Sequence, residues 1–162
     1  MWPSNTSGAV AATLFETTTN LQDFLTLGFP DAVTSYAQGN LQLPSDYDGG
    51  TVTATFTWTI GTAATAMTGA VVWTCQFNQY STDRTLDQAW GTGQDATDNY
   101  GSAATGAFVS ISSATPAITT GGVTGAASNF AMFRISRRGA ATADTQTTVA
   151  QLLGVTINYT RA

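Results

Sequence analysis

From Thr51 to Ile60 the chain alternates without a break: Thr51, Thr53, Thr55, Thr57 and Thr59 hold the odd positions, and Val52, Ala54, Phe56, Trp58 and Ile60 the even ones. A side-chain period of two belongs to a half-buried strand, because successive residues point to opposite faces of a sheet. One face of this strand is apolar and the other is hydroxylated. The residues before it, Leu43-Pro-Ser-Asp-Tyr-Asp-Gly-Gly50, supply a turn through Asp46, Asp48, Gly49 and Gly50. Pro44 has no N–H to give to a ladder, so the strand begins cleanly after it.

The same period recurs on both sides. Thr13–Glu16 reads as a short first strand. Thr34–Leu43 alternates Ala37, Gly39, Leu41 and Leu43 against Tyr36, Gln38, Asn40 and Gln42. Val71–Tyr80 places Val71, Trp73, Cys75 and Phe77 on one face and is expected to form a hairpin with the central strand, its aromatics stacked inward, around the small-residue loop Gly61–Ala70. Phe108–Ser112 and Phe130–Arg138 are further strands. Leu152–Thr160 sets Leu153, Val155, Ile157 and Tyr159 against Leu152, Gly154, Thr156 and Asn158.

Three stretches depart from this period. In Thr17–Asp31, Leu21, Phe24, Leu25 and Leu27 have partly helical spacing that Gly28 and Pro30 cut short, which fits a helical turn or an irregular clamp over the sheets. Ser81–Gly106 reads as a long loop with Leu86 and Trp90 as its apolar anchors, and Pro116–Ser128 as a glycine-rich connection. Short strands, turn-rich links and no long amphipathic helix predict an all-β fold, an antiparallel two-sheet β-sandwich, with about eight strands pointing to the jelly-roll type. Residues 1–12 form an N-terminal arm, loose up to about Gly8, and residues 13–162 a single sandwich domain.

The alternation also predicts a surface. If Phe133 and Ile135 face the core, Phe130 and Met132 face outward, as do Leu152 and Val72 on their own strands. A solvated sheet face does not usually carry such side chains. Phe130, Met132, Leu152 and Val72 are therefore the expected contact with a neighbouring subunit or with the N-terminal segment.

Composition sharpens the picture. Among the 162 residues, 43% are hydrophobic and 10% aromatic, enough for a core, while only 9% are charged, against roughly 25% in an average soluble protein. The surface must be mostly neutral and polar. All five basic residues are arginine, and lysine and histidine are absent. Histidine acid–base chemistry, histidine metal ligation, lysine Schiff bases and a phosphate-loop lysine are thereby excluded. A net charge of −5 speaks against a nucleic-acid partner, which needs a basic surface. Cys75 is single, so it makes no intrachain disulfide and reads as a small buried hydrophobe. Met-Trp-Pro-Ser-Asn-Thr-Ser-Gly has neither the basic nor the apolar region of a secretory signal, and no apolar run reaches the length of a membrane span. Synthesis in a cytoplasm is expected, and the glycosylation sequons at Asn5 and Asn158 carry no weight.

Candidate chemistry is sparse. Asp46-Tyr-Asp48-Gly-Gly resembles the start of a calcium loop, but the twelfth position, where an acidic ligand belongs, is Thr57 inside the strand. Asp83, Asp87, Asp95 and Asp98 share one expected loop, and nothing in the spacing pairs two of them for glycoside hydrolysis. Arg134, Arg137 and Arg138 suggest a small anion-binding patch, with ion pairs to Asp144 or to a neighbouring chain as the commoner outcome. Gly121-Gly-Val-Thr-Gly125 lacks the lysine and helix of a phosphate loop. The expectation is no catalytic residue, no metal and no cofactor.

Leu43-Pro-Ser-Asp-Tyr-Asp-Gly-Gly-Thr-Val-Thr-Ala-Thr-Phe-Thr-Trp58, Val72-Trp73, Leu86-Asp-Gln-Ala-Trp-Gly91 and Ala150-Gln-Leu-Leu-Gly-Val-Thr-Ile-Asn-Tyr159 together resemble a family of small jelly-roll proteins of tailed-bacteriophage virions, of the head-fibre, cement or decoration type. Asp144-Thr145 ahead of the last strand matches that family, while Arg138-Gly-Ala-Ala stands where acidic residues are common in it. The resemblance implies a non-enzymatic virion component, a homotrimer on the capsid surface in contact with the major capsid protein and with neither nucleic acid nor membrane. The alternative it leaves is a head- or tail-fibre protein that binds host carbohydrate, with Tyr80, Trp90 and Tyr100 as its platform.

Overall fold

The computed structural model of the chain describes residues 1–4, 7–61, 68–83, 85–101, 108–122 and 130–162. Among the described residues there is no helix. The strands are β1 (Trp2–Pro3), β2 (Val10–Glu16), β3 (Asp23–Phe29), β4 (Thr34–Gln42), β5 (Tyr47–Thr59), β6 (Thr68–Tyr80), β7 (Gln94–Gly101), β8 (Ser110–Ile111), β9 (Gly121–Gly122), β10 (Phe130–Arg138) and β11 (Ala150–Arg161). They form a β-sandwich of two sheets packed against each other. The first, sheet A, runs β1-β4-β10-β6-β7, with β9 added to β6; the second, sheet B, runs β2-β3-β11-β5-β8. Among the described residues every pairing between these strands is antiparallel except the short one between β6 and β9.

The central strand behaves as its period demands. Val52, Ala54, Phe56 and Trp58 are buried, and the threonines between them face outward. Its expected hairpin with β6 is not formed: β5 lies in sheet B and β6 in sheet A, so the two face each other across the core. The inward aromatics do meet there, with the rings of Phe56 and Trp73 stacked at 5.5 Å and Trp58 edge-on to Trp73 at 6.0 Å. An inter-sheet pair and a hairpin pair show the same alternation, and the alternation does not distinguish them.

Two expected irregular stretches are strands. In β3, Leu27 and Phe29 enter the core, and the helical spacing further back has no helix beneath it. In β7, Ala96 and Tyr100 point inward together with Asp98, whose carboxylate accepts hydrogen bonds from the Trp58 indole N–H at 2.7 Å and from Ser110 at 2.6 Å. An inward aspartate hides the period of two. Leu86 is exposed and anchors nothing.

Several described residues of the N-terminal segment are hydrogen-bonded to sheet A. Trp2 and Pro3 pair with Gln38 and Ala37 of β4, and the N–H groups of Ser4 and Ala9 both donate to the Tyr36 carbonyl. Ala9 belongs to the core.

In β11 the pairing register shifts between Leu152 and Gly154. One extra residue, Leu153, reverses the parity of the strand. Ala150 and Leu152 face the core before the bulge, and Val155, Ile157 and Tyr159 pack against it afterwards. Leu152 is 1% exposed, which corrects its assignment to an outward face. Val72 is also buried, so neither residue offers a contact surface to a partner.

Between β10 and β11 the chain folds around a buried charge. Arg137 donates from Nε and Nη2 to the two carboxylate oxygens of Asp144, at 3.0 and 2.7 Å, and from Nη1 to the carbonyls of Phe29 and Thr148 at 3.1 and 2.6 Å. The Gln146 carbonyl accepts from Nη2 as well. Asp144 also accepts from the Val72 N–H, and the Thr145 hydroxyl from the Ala70 N–H. β10 pairs with β6 no further than Trp73. The Asp-Thr dipeptide thus takes over the ladder donors of β6 where its neighbour strand ends.

Candidate functional site

The outer face of sheet A carries its aromatic and amide side chains in cross-strand rows. Phe130 stands between Gln42 and Tyr80, Met132 between Asn40 and Asn78, Arg134 between Gln38 and Gln76, and Ser136 between Tyr36 and Thr74. Residues opposite one another in an antiparallel pair share a face, so these lie on one face of the sheet, with Asn78 and Ser136 buried on it.

Arg134 is its centre. Gln76 Oε1 accepts from both Nε and Nη2, at 2.8 and 2.5 Å. The guanidinium carbon lies 4.9 Å from the centre of the Tyr36 ring and 5.0 Å from that of Trp90, both within the roughly 6 Å over which a cation is drawn to a ring face. Burial lowers the pKa of Arg134, and the neighbouring Tyr36 partly offsets this. Among the described residues Arg134 has no carboxylate partner.

Trp90 reaches this position because its loop is stitched to the sheet. Gln76 donates to the Gly91 carbonyl at 2.9 Å, Asn78 donates to the Ala89 carbonyl at 3.1 Å, and the Gly91 N–H donates back to the Asn78 side-chain oxygen at 3.0 Å. A Cβ on Gly91 would stand 2.5 Å from the Thr119 carbonyl oxygen and 2.7 Å from the Gly121 nitrogen. Only glycine lets the loop come this close, so Gly91 fixes where Trp90 lies. No protein-family model matches this chain, and no curated protein does so significantly.

The predicted residues fare unequally. Phe130 and Met132 do lie on the outer face, half-buried, with the Phe130 ring 5.9 Å from that of Tyr80. Tyr80 donates its hydroxyl to the Leu86 carbonyl. Tyr100 does not join Tyr80 and Trp90: it is 3% exposed, packs on Trp58 inside the sandwich, and its hydroxyl accepts from the Phe108 N–H. The three arginines form no common patch. Arg137 is internal, Arg138 pairs with Asp95 on the surface, and Arg134 sits between aromatics. Nor do Asp95 and Asp98 make a carboxylate pair, since they point to opposite faces of β7. The expected turn at Asp46–Gly50 lies largely inside β5: Asp48 accepts from the Gly50 N–H within the irregular stretch between Tyr47 and Val52, where the register with β11 shifts. Arg84 and the residues after Gly122 in the glycine-rich connection lie outside the described residues.

Sequence reasoning missed Tyr36 and Gln76 as members of the site. Both occupy the polar phase of their strands, and only the register of β4, β10 and β6 brings them to Arg134.

Proposed function

We propose that this chain is a non-enzymatic structural protein of a tailed-bacteriophage virion, a capsid decoration or cement protein that docks the outer face of its sheet A on the assembled head, against the major capsid protein. The observation that carries this is the Tyr36–Arg134–Trp90 cluster, held in place by Gln76, Asn78 and Gly91. Tyrosine, tryptophan and arginine dominate the energetics of protein–protein contacts, above all where they are ordered before binding. The strand order favours the jelly-roll topology that the resemblance implies. With the hairpin strand β2 and the short strands β1 and β9 set aside, the remaining strands run β3-β11-β5-β8 and β4-β10-β6-β7, the first beside the last in one sheet. A protein that binds only the assembled lattice stabilises it by mass action.

The test is co-sedimentation with assembled heads. The native chain is expected to pellet with them, and Arg134→Ala or Trp90→Ala to lose about tenfold or more in affinity, the loss of a single hot-spot side chain. Native protein that stays in the supernatant, or variants that pellet as the native chain does, would refute the docking face. A fibre-type, carbohydrate-binding role is the second reading, favoured by Trp90 and the amides of Gln38, Asn40 and Gln76 on one surface. A glycan-array signal abolished in Trp90→Ala would move the proposal there.

A further inference from the structure

At one side of the sandwich both sheets end in open backbone. β3 pairs with β11 only as far as Leu152, and among the described residues nothing pairs with that edge of β11 from Gly154 to Arg161. In sheet A, the N-terminal segment covers β4 from Tyr36 to Gln38, and among the described residues nothing pairs with that edge from Gly39 to Gln42. Between these edges lies a cleft of about 340 Å³, its walls including Leu41, Leu43, Phe133, Val155, Ile157 and Tyr159. A long edge without proline or lysine is a template for another strand. Bulge-free from Gly154 to Tyr159, β11 has none of the usual protections there.

The same chain carries a complement to this surface. The β2–β3 hairpin projects beyond the point where β3 leaves β11. Leu14 and Leu25 stand opposite each other on it, 70% and 65% exposed. Two residues further toward its tip and on the same face, Glu16 stands opposite Asp23. Like charges directly opposite destabilise a hairpin, and among the described residues no arginine pairs with either. On β11, two residues beyond Tyr159, stands Arg161, whose only ion pair among the described residues is an exposed one with Asp46 at 3.2 Å. Such a pair is readily exchanged.

We infer that the β2–β3 hairpin of one copy seats on the open β11 edge of a second copy, with Leu14 and Leu25 over the apolar cleft and Glu16 and Asp23 at Arg161. The spacing agrees on both partners: the acidic pair follows the leucines by two residues, and Arg161 follows Tyr159 by two. The contact joins different surfaces of identical chains, so it is head-to-tail and closes into a ring or runs on as a filament. It goes beyond shell docking and does not depend on it, because it uses the opposite sheet's hairpin and edge and needs no capsid.

Sedimentation velocity on the full chain tests it. The native protein is expected to self-associate. Leu14→Ser with Leu25→Ser, both at exposed positions, is expected to weaken association by more than about tenfold with an unchanged circular dichroism spectrum. Arg161→Glu should weaken it as well. A mixture of the leucine variant and Arg161→Glu keeps one intact hairpin and one intact edge, so it should give a one-to-one dimer and nothing larger. A native chain that stays monomeric at its highest soluble concentration overturns the inference. Undiminished assembly of the leucine variant also overturns it and would point to β11 pairing with β11. Failure of capsid co-sedimentation leaves these outcomes unaffected.

Discussion

Asp144→Ala removes one half of a charge pair whose side chains are both 0% exposed. The guanidinium of Arg137 keeps its bonds to the carbonyls of Phe29, Thr148 and Gln146 but loses its two-pronged carboxylate partner, and only the longer contact with the partly exposed Asp31, at 3.5 Å, is left to balance its charge. The Val72 N–H loses its acceptor as well. Removing one partner of a buried pair costs about 3–5 kcal/mol when the remaining charge is left uncompensated, and the long, partly solvated contact with Asp31 places Asp144→Ala toward the lower end of that range. That is a large share of the roughly 5–15 kcal/mol that stabilises a domain. In a chain of this size each kcal/mol moves Tm by about 2–4 °C, so Tm should fall by about 6–20 °C. Thermal and urea unfolding followed through tryptophan fluorescence are suitable assays, since Trp58 and Trp73 are both fully buried. Asp144→Asn keeps an acceptor oxygen for Val72 and should fall between the native protein and Asp144→Ala. Arg137→Met combined with Asp144→Leu removes both charges and should recover part of the loss, though not the Val72 hydrogen bond. A fall of less than about 2 °C for Asp144→Ala would mean that the pair does not hold the β10–β11 connection to β6, and the account of the Asp-Thr dipeptide would be wrong.

Three further outcomes are expected. Gly91→Ala should cost about 1–3 kcal/mol through overpacking and shift tryptophan emission as Trp90 is displaced; unchanged emission and stability would mean that Gly91 does not position it. Gly39→Val should destabilise the fold similarly, because a Cβ there would stand 2.4 Å from the Phe133 ring, and an unchanged urea midpoint would refute that packing. Burial pushes the Cys75 thiol up to about 12, and Tyr47 is raised too, by burial first and by Asp48 second, against a hydrogen bond from Gln79. Both groups keep their protons longer in the folded state. Their contribution to stability should therefore be fully present well below about pH 8.5, where an unfolded thiol is half ionised, and be lost as pH rises toward 12. Cys75→Ala should flatten part of that slope, and native Cys75 should resist thiol reagents until the chain unfolds.

Much of the fold was legible because it rests on local alternation. β4 and β5 follow their periods closely, as β10 does as far as Ile135, while β6 does so only in the middle, because Val72 and Asn78 on its outward phase are covered by Asp144 and by the Trp90 loop. What the period could not carry was the side on which each strand falls, so β5 and β6 seemed a hairpin, and the bulge at Leu153, which reverses every residue after it. β7 was hidden because Asp98 sits inward for the sake of the Trp58 indole, a contact made across the core and silent in the sequence. The candidate site was legible only in part. Trp90 and Arg134 drew notice as an aromatic and a charge, but their meeting with Tyr36 depends on strand register and on the glycine that lets the loop approach. Arg137 and Arg138 looked like neighbours of Arg134 in function because they are neighbours in sequence. Side-chain alternation sends Arg137 into the core, away from Arg134, and Arg138 lies at the strand end beside Asp95.

The most direct test of the proposed role is immunogold labelling of intact phage particles with an antibody to this protein. Label spread over the head surface is the result expected of a decoration protein. Label confined to the tail tip would contradict it in favour of host recognition, and particles with no label at all would remove the protein from the virion.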